Sequence, residues 1–290
     1  MEIALNYNSK VLYLEEDEIV SITGRSYEVQ DRIGAGGNGA VYECINASGV
    51  VYAVKFLLHI SKKSLRRFDQ EIALLKKIKH PHIIGYVDDG IAEMTDRSGN
   101  PMEVRFVIME KADENLVSYL KRHDDIGYEM YAAQFRGLCE ALEELHRYAI
   151  HRDIKPENIL VKGETWVLSD FGLCAFLNPE EHQDLTRANE KVGPACWMSP
   201  EAVDSFYWGN DIIGTYSDVF QLCAVFAFVL TRKHPGGIIS PQNDLNTTPL
   251  LRQLLIDSLS NEYSQRPADG HALVQRYNNA IYGALEIDSE

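Results

Sequence analysis

Apolar positions change their rhythm along this chain. Residues 11–22 read Val-Leu-Tyr-Leu, then four acids, then Ile-Val-Ser-Ile, two short β-prone runs around a polar break. They predict a hairpin laid on the segment that follows, with a disordered leader as the competing reading. From Tyr27 to Glu110 the runs are rich in Val, Ile and Tyr and predict strands, interrupted by one helix over 64–79. There Leu65, Phe68, Ile72 and Leu75 recur at three- and four-residue steps, with Glu71 beside the stripe. The cations flanking it (Lys62, Lys63, Arg66, Arg67, Lys76, Lys77 and Lys79) lack interleaved aromatics and read as a solvated face. From Leu116 onward helices dominate. Where the β run ending at Met109 passes into Glu110-Lys111-Ala112, a hinge between two lobes is expected. The longest apolar run, 219–230, contains Gln221 and is too short to span a bilayer, so it reads as a buried core helix. The acidic tail from Ala284 is expected to fray.

Composition narrows the classes. The 290 residues, 45% hydrophobic, suffice for a sizeable core. A net charge of -15 argues against a general nucleic-acid or anionic-membrane binder. Cys44, Cys139, Cys174, Cys196 and Cys223 form neither a C-x-x-C pair nor a ligand spacing with histidine, and read as buried or partly buried free thiols of a reducing cytosol. Residues 1–10 lack the basic and apolar regions of a signal peptide. A cytoplasmic, unanchored enzyme is expected.

The candidate chemistry concentrates in His151-Arg152-Asp153-Ile154-Lys155-Pro156-Glu157-Asn158, followed a short hairpin later by Asp170-Phe171-Gly172. Phosphoryl transfer asks of a protein a metal cage, a carboxylate that positions a hydroxyl, and a charge clamp on phosphates. Asp153, Asn158, Asp170 and Lys155 supply most of these parts. Upstream, Gly34-Ala35-Gly36-Gly37-Asn38-Gly39-Ala40-Val41 lies between two β runs, where glycines let backbone approach phosphates. With no helix following, it is not a dinucleotide or Walker-type loop. Ala53-Val54-Lys55 comes one strand later.

In order, spacing and intervening strands these motifs resemble those of eukaryotic-type (Hanks-type) protein kinases, over roughly residues 27–285. The resemblance implies an α+β, bilobal fold: a small, mainly antiparallel β lobe with one key helix (27–110), a larger, mainly helical lobe (111–290), and an extension (1–26). It implies ATP and Mg²⁺, with Mn²⁺ as a substitute, and a protein substrate. The protein is expected to act as a monomer or as a transient dimer during autophosphorylation. In this likeness Asp153 accepts the substrate hydroxyl proton, Lys155 neutralises the transferring phosphate, and Asn158 and Asp170 hold the metal. Lys55 clamps phosphates and Glu71 orients it. Gly34, Gly36, Gly37, Gly39, Val41, Ala53, Met109, Glu110, Ala112 and Leu160 enclose the nucleotide. His151, Phe171 and Leu75 belong to a buried column anchored by Asp218, and Glu201 with Arg266 forms a buried ion pair. Thr186 is the sole hydroxyl between Phe171 and Met198, hence the candidate phosphosite, and Arg152 the candidate that binds it.

The departures matter too. Asn38 stands where an aromatic often caps the flap, implying a more mobile lid. Phe220 and Cys223 replace the usual Trp and Gly of the central helix. Lys155 points to serine or threonine substrates, whereas Pro194-Ala195-Cys196-Trp197-Met198-Ser199-Pro200-Glu201 resembles the tyrosine-kinase pattern P-x-x-W-M-[AS]-P-E. Serine/threonine specificity is the reading taken, weighing the reacting centre above the docking loop. Tyrosine or dual specificity, a nucleotide-binding pseudokinase scaffold, and a small-molecule phosphotransferase are the alternatives. The glycine flap and compact form suggest a bacterial or phage-borne kind.

Overall fold

In the computed structural model, residues 2–4, 11–35, 39–57, 61–123, 126–178, 196–209, 213–234 and 245–287 are described. They fall into two compact units, residues 1–79 with 84–112 and residues 80–83 with 113–290.

The first unit is a curled antiparallel sheet with one helix. Its strands are β1 (Glu2–Ala4), β2 (Val11–Tyr13), β3 (Glu18–Val20), β4 (Ser26–Ala35), β5 (Gly39–Asn46) and β6 (Val51–Leu57), then, after helix α1 (Lys62–Lys77), β7 (Tyr86–Asp96) and β8 (Pro101–Glu110). Among the described residues the sheet order is β1-β2-β7-β8-β6-β5-β4-β3. Side-chain alternation decides what each face does. Tyr42 and Cys44 on β5, Val54 and Phe56 on β6, and Val104, Phe106 and Ile108 on β8 turn into one buried cluster with Tyr27, Val29, Ala92 and Met94. Edge-to-face contacts of Phe56 with Tyr42 and Phe106, at 5.8 and 6.0 Å, tie it together.

The expected hairpin within 11–22 is corrected by the strand pairing. Both runs are strands, but β2 pairs with β1 and β7 while β3 pairs with β4, at opposite ends of the sheet order. Three-residue strands bury too little to hold each other. The acidic break between them makes a short 3₁₀ turn in which Glu16 and Asp17 take positive φ, 61° and 52°, and sends the chain to the other edge. The sheet curls enough that Ile22 N–H, just past β3, donates to Asp89 O on β7 at 2.8 Å. Helix α1 begins two residues earlier than the periodicity predicts, because Ser61 caps it by accepting from Ser64 N–H at 3.1 Å.

The second unit is mainly helical. It contains β9 (Glu114–Asn115), α2 (Leu116–Arg122), α3 (Tyr128–Leu145), β10 (Ala149–Ile150), the hairpin β11 (Ile159–Lys162) and β12 (Thr165–Leu168), β13 (Ala175–Phe176), α4 (Pro200–Trp208), α5 (Thr215–Thr231), α6 (Pro249–Ser258) and α7 (Gly270–Ile287). Helix α5 is buried nearly all round, as its unbroken apolar run requires. Phe226 on it stacks on Phe135 of α3 with ring centroids 3.7 Å apart. Among the described residues no helix is long and apolar enough to cross a membrane. The expectation for the cysteines needs one correction: Cys44, Cys139 and Cys223 are buried and Cys174 partly so, but Cys196 is exposed. Burial pushes the Cys44 and Cys223 thiols up to about 12, which leaves them inert.

Candidate active site

The candidate residues form two sets, one in each unit. In the first unit, the β5-β6-β8 register sets Val41 opposite Lys55 and Ala53 opposite Met109. Directly opposed residues of antiparallel strands share a face, and Lys55 lies two residues from Ala53. Val41, Ala53, Lys55 and Met109 therefore share the face away from the aromatic core. Gly34, opposite Val41, and Gly39 lie where β4 turns back into β5. A β-carbon on Gly39 would stand 3.1 Å from Lys55 Cγ and Cε and from Phe56 O, so a larger residue there would crowd the lysine stem. Gly36 and Gly37 lie outside the described residues.

Lys55 is 7% exposed and Glu71 is 3% exposed. Their Nζ and Oε1 are 2.6 Å apart, a buried, charge-assisted hydrogen bond between β6 and α1. Leu75, one helical turn on from Glu71, is buried as well. At the chain's exit from β8, Glu110 N–H donates to Gly85 O at 2.9 Å, and Lys111 pairs with Glu43 at 3.3 Å. Met109, Glu110 and Ala112 are half-buried.

In the second unit the loop after β10 is held from below by α5. The Asp218 carboxylate, fully buried, accepts the backbone N–H groups of His151 and Arg152 at 2.6 and 2.8 Å. Arg152 can then adopt φ 68°, a left-handed turn that a non-glycine residue holds only when its surroundings fix it. Gln221 accepts Ile154 N–H at 3.0 Å, one helical turn further along. Between these anchors Asp153 projects its carboxylate. Lys155 Nζ donates to it at 3.0 Å, and Asn158 Nδ2 donates both to the carboxylate and to Asp153 O at 2.8 Å. With its amide nitrogen so engaged, the side-chain oxygen of Asn158 is the atom that could accept a cation. Leu160, half-buried on β11, follows two residues later.

The β11-β12 hairpin then returns the chain beside this loop. Ser169 donates to Asn158 O through both N–H (2.9 Å) and Oγ (2.8 Å), and its own carbonyl lies 3.2 Å from His151 Nε2. Because His151 Nδ1 accepts Asp153 N–H at 3.3 Å, its proton sits on Nε2 and is donated to Ser169 O. Asp170 follows with φ 60°, a second left-handed non-glycine residue. Phe171 packs on the His151 ring with centroids 5.1 Å apart.

The electrostatics of Asp153 follow from this packing. Burial raises its carboxyl above the ordinary carboxylate range, the Lys155 ammonium pulls it back, and the neighbouring Asp170 charge pushes it up again. A carboxylate poised this way is suited to orient a hydroxyl and take its proton. The Asn158 and Asp170 oxygens are hard donors, a set that fits Mg²⁺ or Mn²⁺ better than a soft metal.

Arg266 donates to both oxygens of Glu201, at 2.9 and 3.0 Å, and to Ser260 O at 2.8 Å, with its guanidinium 4.9 Å from the Phe220 ring centroid. Phe220, where the resemblance expects tryptophan, thus packs against Arg266. Arg152 lies 6% exposed with Nε donating to Leu173 O at 2.8 Å, just past Gly172. Thr186 and Pro194 lie outside the described residues. Two contributors escaped the reading of the sequence. Gln221 carried a signal, a lone amide inside an apolar run. His146, which accepts Gly270 N–H at 2.9 Å and donates to Asp218 at 3.0 Å, carried none, since its partners are 124 and 72 residues away.

A buried lysine-carboxylate pair in the first unit and, in the second, a carboxylate held by a lysine and an asparagine are groups of the kind that phosphoryl transfer asks for. Residues 27–276 match the protein kinase domain, and the chain belongs to that family. It is 33% identical over 277 residues to the serine/threonine-protein kinase pak-1 of Caenorhabditis elegans, covering 94% of this chain and 43% of that protein. A probable serine/threonine-protein kinase of Encephalitozoon cuniculi is 29% identical over 251 residues, covering 86% and 44%. The mitogen-activated protein kinase kinase kinase 1a of Physcomitrium patens is 32% identical over 179 residues, covering 59% and 22%. The chain spans less than half the length of these relatives. All three are eukaryotic, which lends no support to a bacterial or phage-borne kind.

Proposed function

We propose that this chain transfers the γ-phosphoryl group of ATP to serine or threonine hydroxyls of a protein substrate and also phosphorylates itself. The observation that carries this reading is the Asp153 carboxylate, buried and hydrogen-bonded by both Lys155 and Asn158. Asp153 orients the incoming hydroxyl and accepts its proton, and Lys155 balances charge on the group in flight. Lys55, aligned by Glu71, holds the nucleotide phosphates, while Val41, Ala53, Met109, Glu110, Ala112 and Leu160 receive the adenine end. Asn158 and Asp170 would hold Mg²⁺, which would supply positive charge to offset that of the phosphates. Arg152 pairs with phosphate on Thr186. Retention of Lys55, Asp153, Asn158 and Asp170 weighs against a scaffold without activity. The setting is taken to be cytoplasmic, with a monomer or a transient dimer as the active form.

Serine/threonine specificity rests on Lys155, which bonds the Asp153 carboxylate at the point of reaction, and agrees with the names that the relatives carry. The opposing feature is Trp197, which packs edge-on against Phe228 at 5.5 Å and beside His234 at 4.7 Å within the tyrosine-kinase-like segment. Phosphoamino-acid analysis of the autophosphorylated chain and of a mixed peptide library tests the assignment. Phosphoserine and phosphothreonine are expected; predominant phosphotyrosine in both would overturn it.

A further inference from the structure

The Lys55–Glu71 pair depends on where α1 lies, and in the first unit α1 is pinned from the side away from Glu71. Asp69 and Lys76 are seven residues apart, two turns, and so share one helix face. Asp69 pairs with Arg105 on β8, and Lys76 Nζ lies 2.5 Å from Asp89 on β7. Between these pins the helix stands off the strands, leaving a cleft of about 350 Å³ lined by Ile22, Ile72, Ala73 and Ile91. On this side, therefore, ion pairs at either end of the cleft hold the helix to the strands.

The β7 end of the pin is set by a segment that precedes the family match, which begins at residue 27. The turn after β3 closes on itself through Ser21 N–H to Arg25 O at 2.9 Å, with Gly24 at φ 76°. From it Ile22 N–H donates to Asp89 O at 2.8 Å, and Thr23 Oγ1 donates to the carboxylate of Asp88, which is 0% exposed. Asp88 also accepts Asp89 N–H at 2.9 Å. Tyr86 donates to the Asp89 carboxylate, and its ring lies under Lys76, 5.2 Å from Nζ. Thr23, Asp88, Asp89 and Lys76 thus form a continuous polar chain from the extension to the helix that carries Glu71.

We propose that Thr23, Asp89 and Lys76 are positioning residues for the Lys55–Glu71 pair, so that residues 18–25 act as a strap that keeps α1 in the engaged position. The role assigned to that pair rests on the function proposed above. Exposed pins of this strength shift an equilibrium by only about fivefold, enough to bias a helix between two positions without deciding whether the chain folds.

The test uses the whole chain and two readouts. One is the rate at which Lys55 is acetylated by N-acetoxysuccinimide, followed by peptide mass spectrometry. The other is kcat and KM for ATP with myelin basic protein as acceptor. Glu71→Gln is the reference in which the pair is broken. Lys76→Met and Thr23→Val should raise Lys55 acetylation severalfold towards that reference and lower kcat by up to about fivefold, and Lys76→Arg should restore both. Lys76 is the exposed member of its pair, so the test stands even if Thr23→Val folds poorly. Acetylation at the wild-type rate in Lys76→Met and Thr23→Val, with or without a drop in melting temperature, overturns the proposal. So does a Glu71→Gln rate equal to wild type, since nothing would then be held. Absence of phosphoryl transfer in the wild type would refute the proposed function and leave the acetylation result to judge the strap.

Discussion

Replacing Glu201 by glutamine removes one charge from a pair whose other member cannot leave. The Arg266 side chain is 0% exposed, and Glu201 receives its Nη1 and Nη2 together with the Ser217 hydroxyl at 2.6 Å. Breaking a buried pair by removing one partner costs about 3–5 kcal/mol, because the remaining charge is left uncompensated. The substituted amide would still offer one acceptor, and Arg266 keeps its bond to Ser260 O, so the lower end, about 3 kcal/mol, is expected. At roughly 2 kcal/mol per molar urea, the midpoint should fall by about 1.5 M. Trp166, Trp197 and Trp208 all belong to the second unit, so tryptophan fluorescence reads this transition without interference from the first. Burial alone would raise the Glu201 carboxyl, but the Arg266 and Ser217 hydrogen bonds overcome it and hold it below the ordinary glutamate value. The stability it contributes is then fully present above that ordinary value and is lost as pH falls through the lower, folded one. The gap between wild type and Glu201→Gln should therefore narrow in acid. A midpoint within about 0.3 M of wild type, or a gap that widens in acid, would show that the pair does not stabilise the fold in this way.

Two other changes probe the catalytic side. Lys155→Met should move the acid limb of the kcat/KM profile to higher pH, because the ammonium is what draws the Asp153 carboxyl back down against burial; an unmoved or lowered limb would contradict this. Thr186→Ala should lower activity, and peptide mapping of the active chain should find phosphate at Thr186; full activity with no phosphate there would remove it as a switch.

The sequence disclosed most where a pattern repeats. Alternation along β5, β6 and β8 and the stripe of Phe68, Ile72 and Leu75 on α1 both follow from one buried face meeting a fixed period. The stretch from His151 to Asn158 was legible for a different reason, since packing alone needs no such polar residues in that order. What stayed hidden was pairing across distance. Val11–Tyr13 and Glu18–Val20 are too short for their own pattern to select partners, so their places at opposite ends of the sheet could not be read. Nothing near Asp88 in the sequence marks it for burial, yet it is buried and bonded to Thr23, 65 residues away. His146 and Gly270 are likewise brought together only by the docking of α7 on α3.

Asp153, Asp170 and Lys55 are the residues proposed to carry phosphoryl transfer. The most direct measurement incubates the pure chain and its Asp153→Asn, Asp170→Asn and Lys55→Met variants with γ-labelled ATP, Mg²⁺ and myelin basic protein, after circular dichroism has shown each to be folded. Wild type should label both itself and the acceptor, and each variant should be slower by roughly a hundredfold or more, the cost of losing one electrostatic stabiliser. Labelling by either aspartate variant at the wild-type rate would contradict the account.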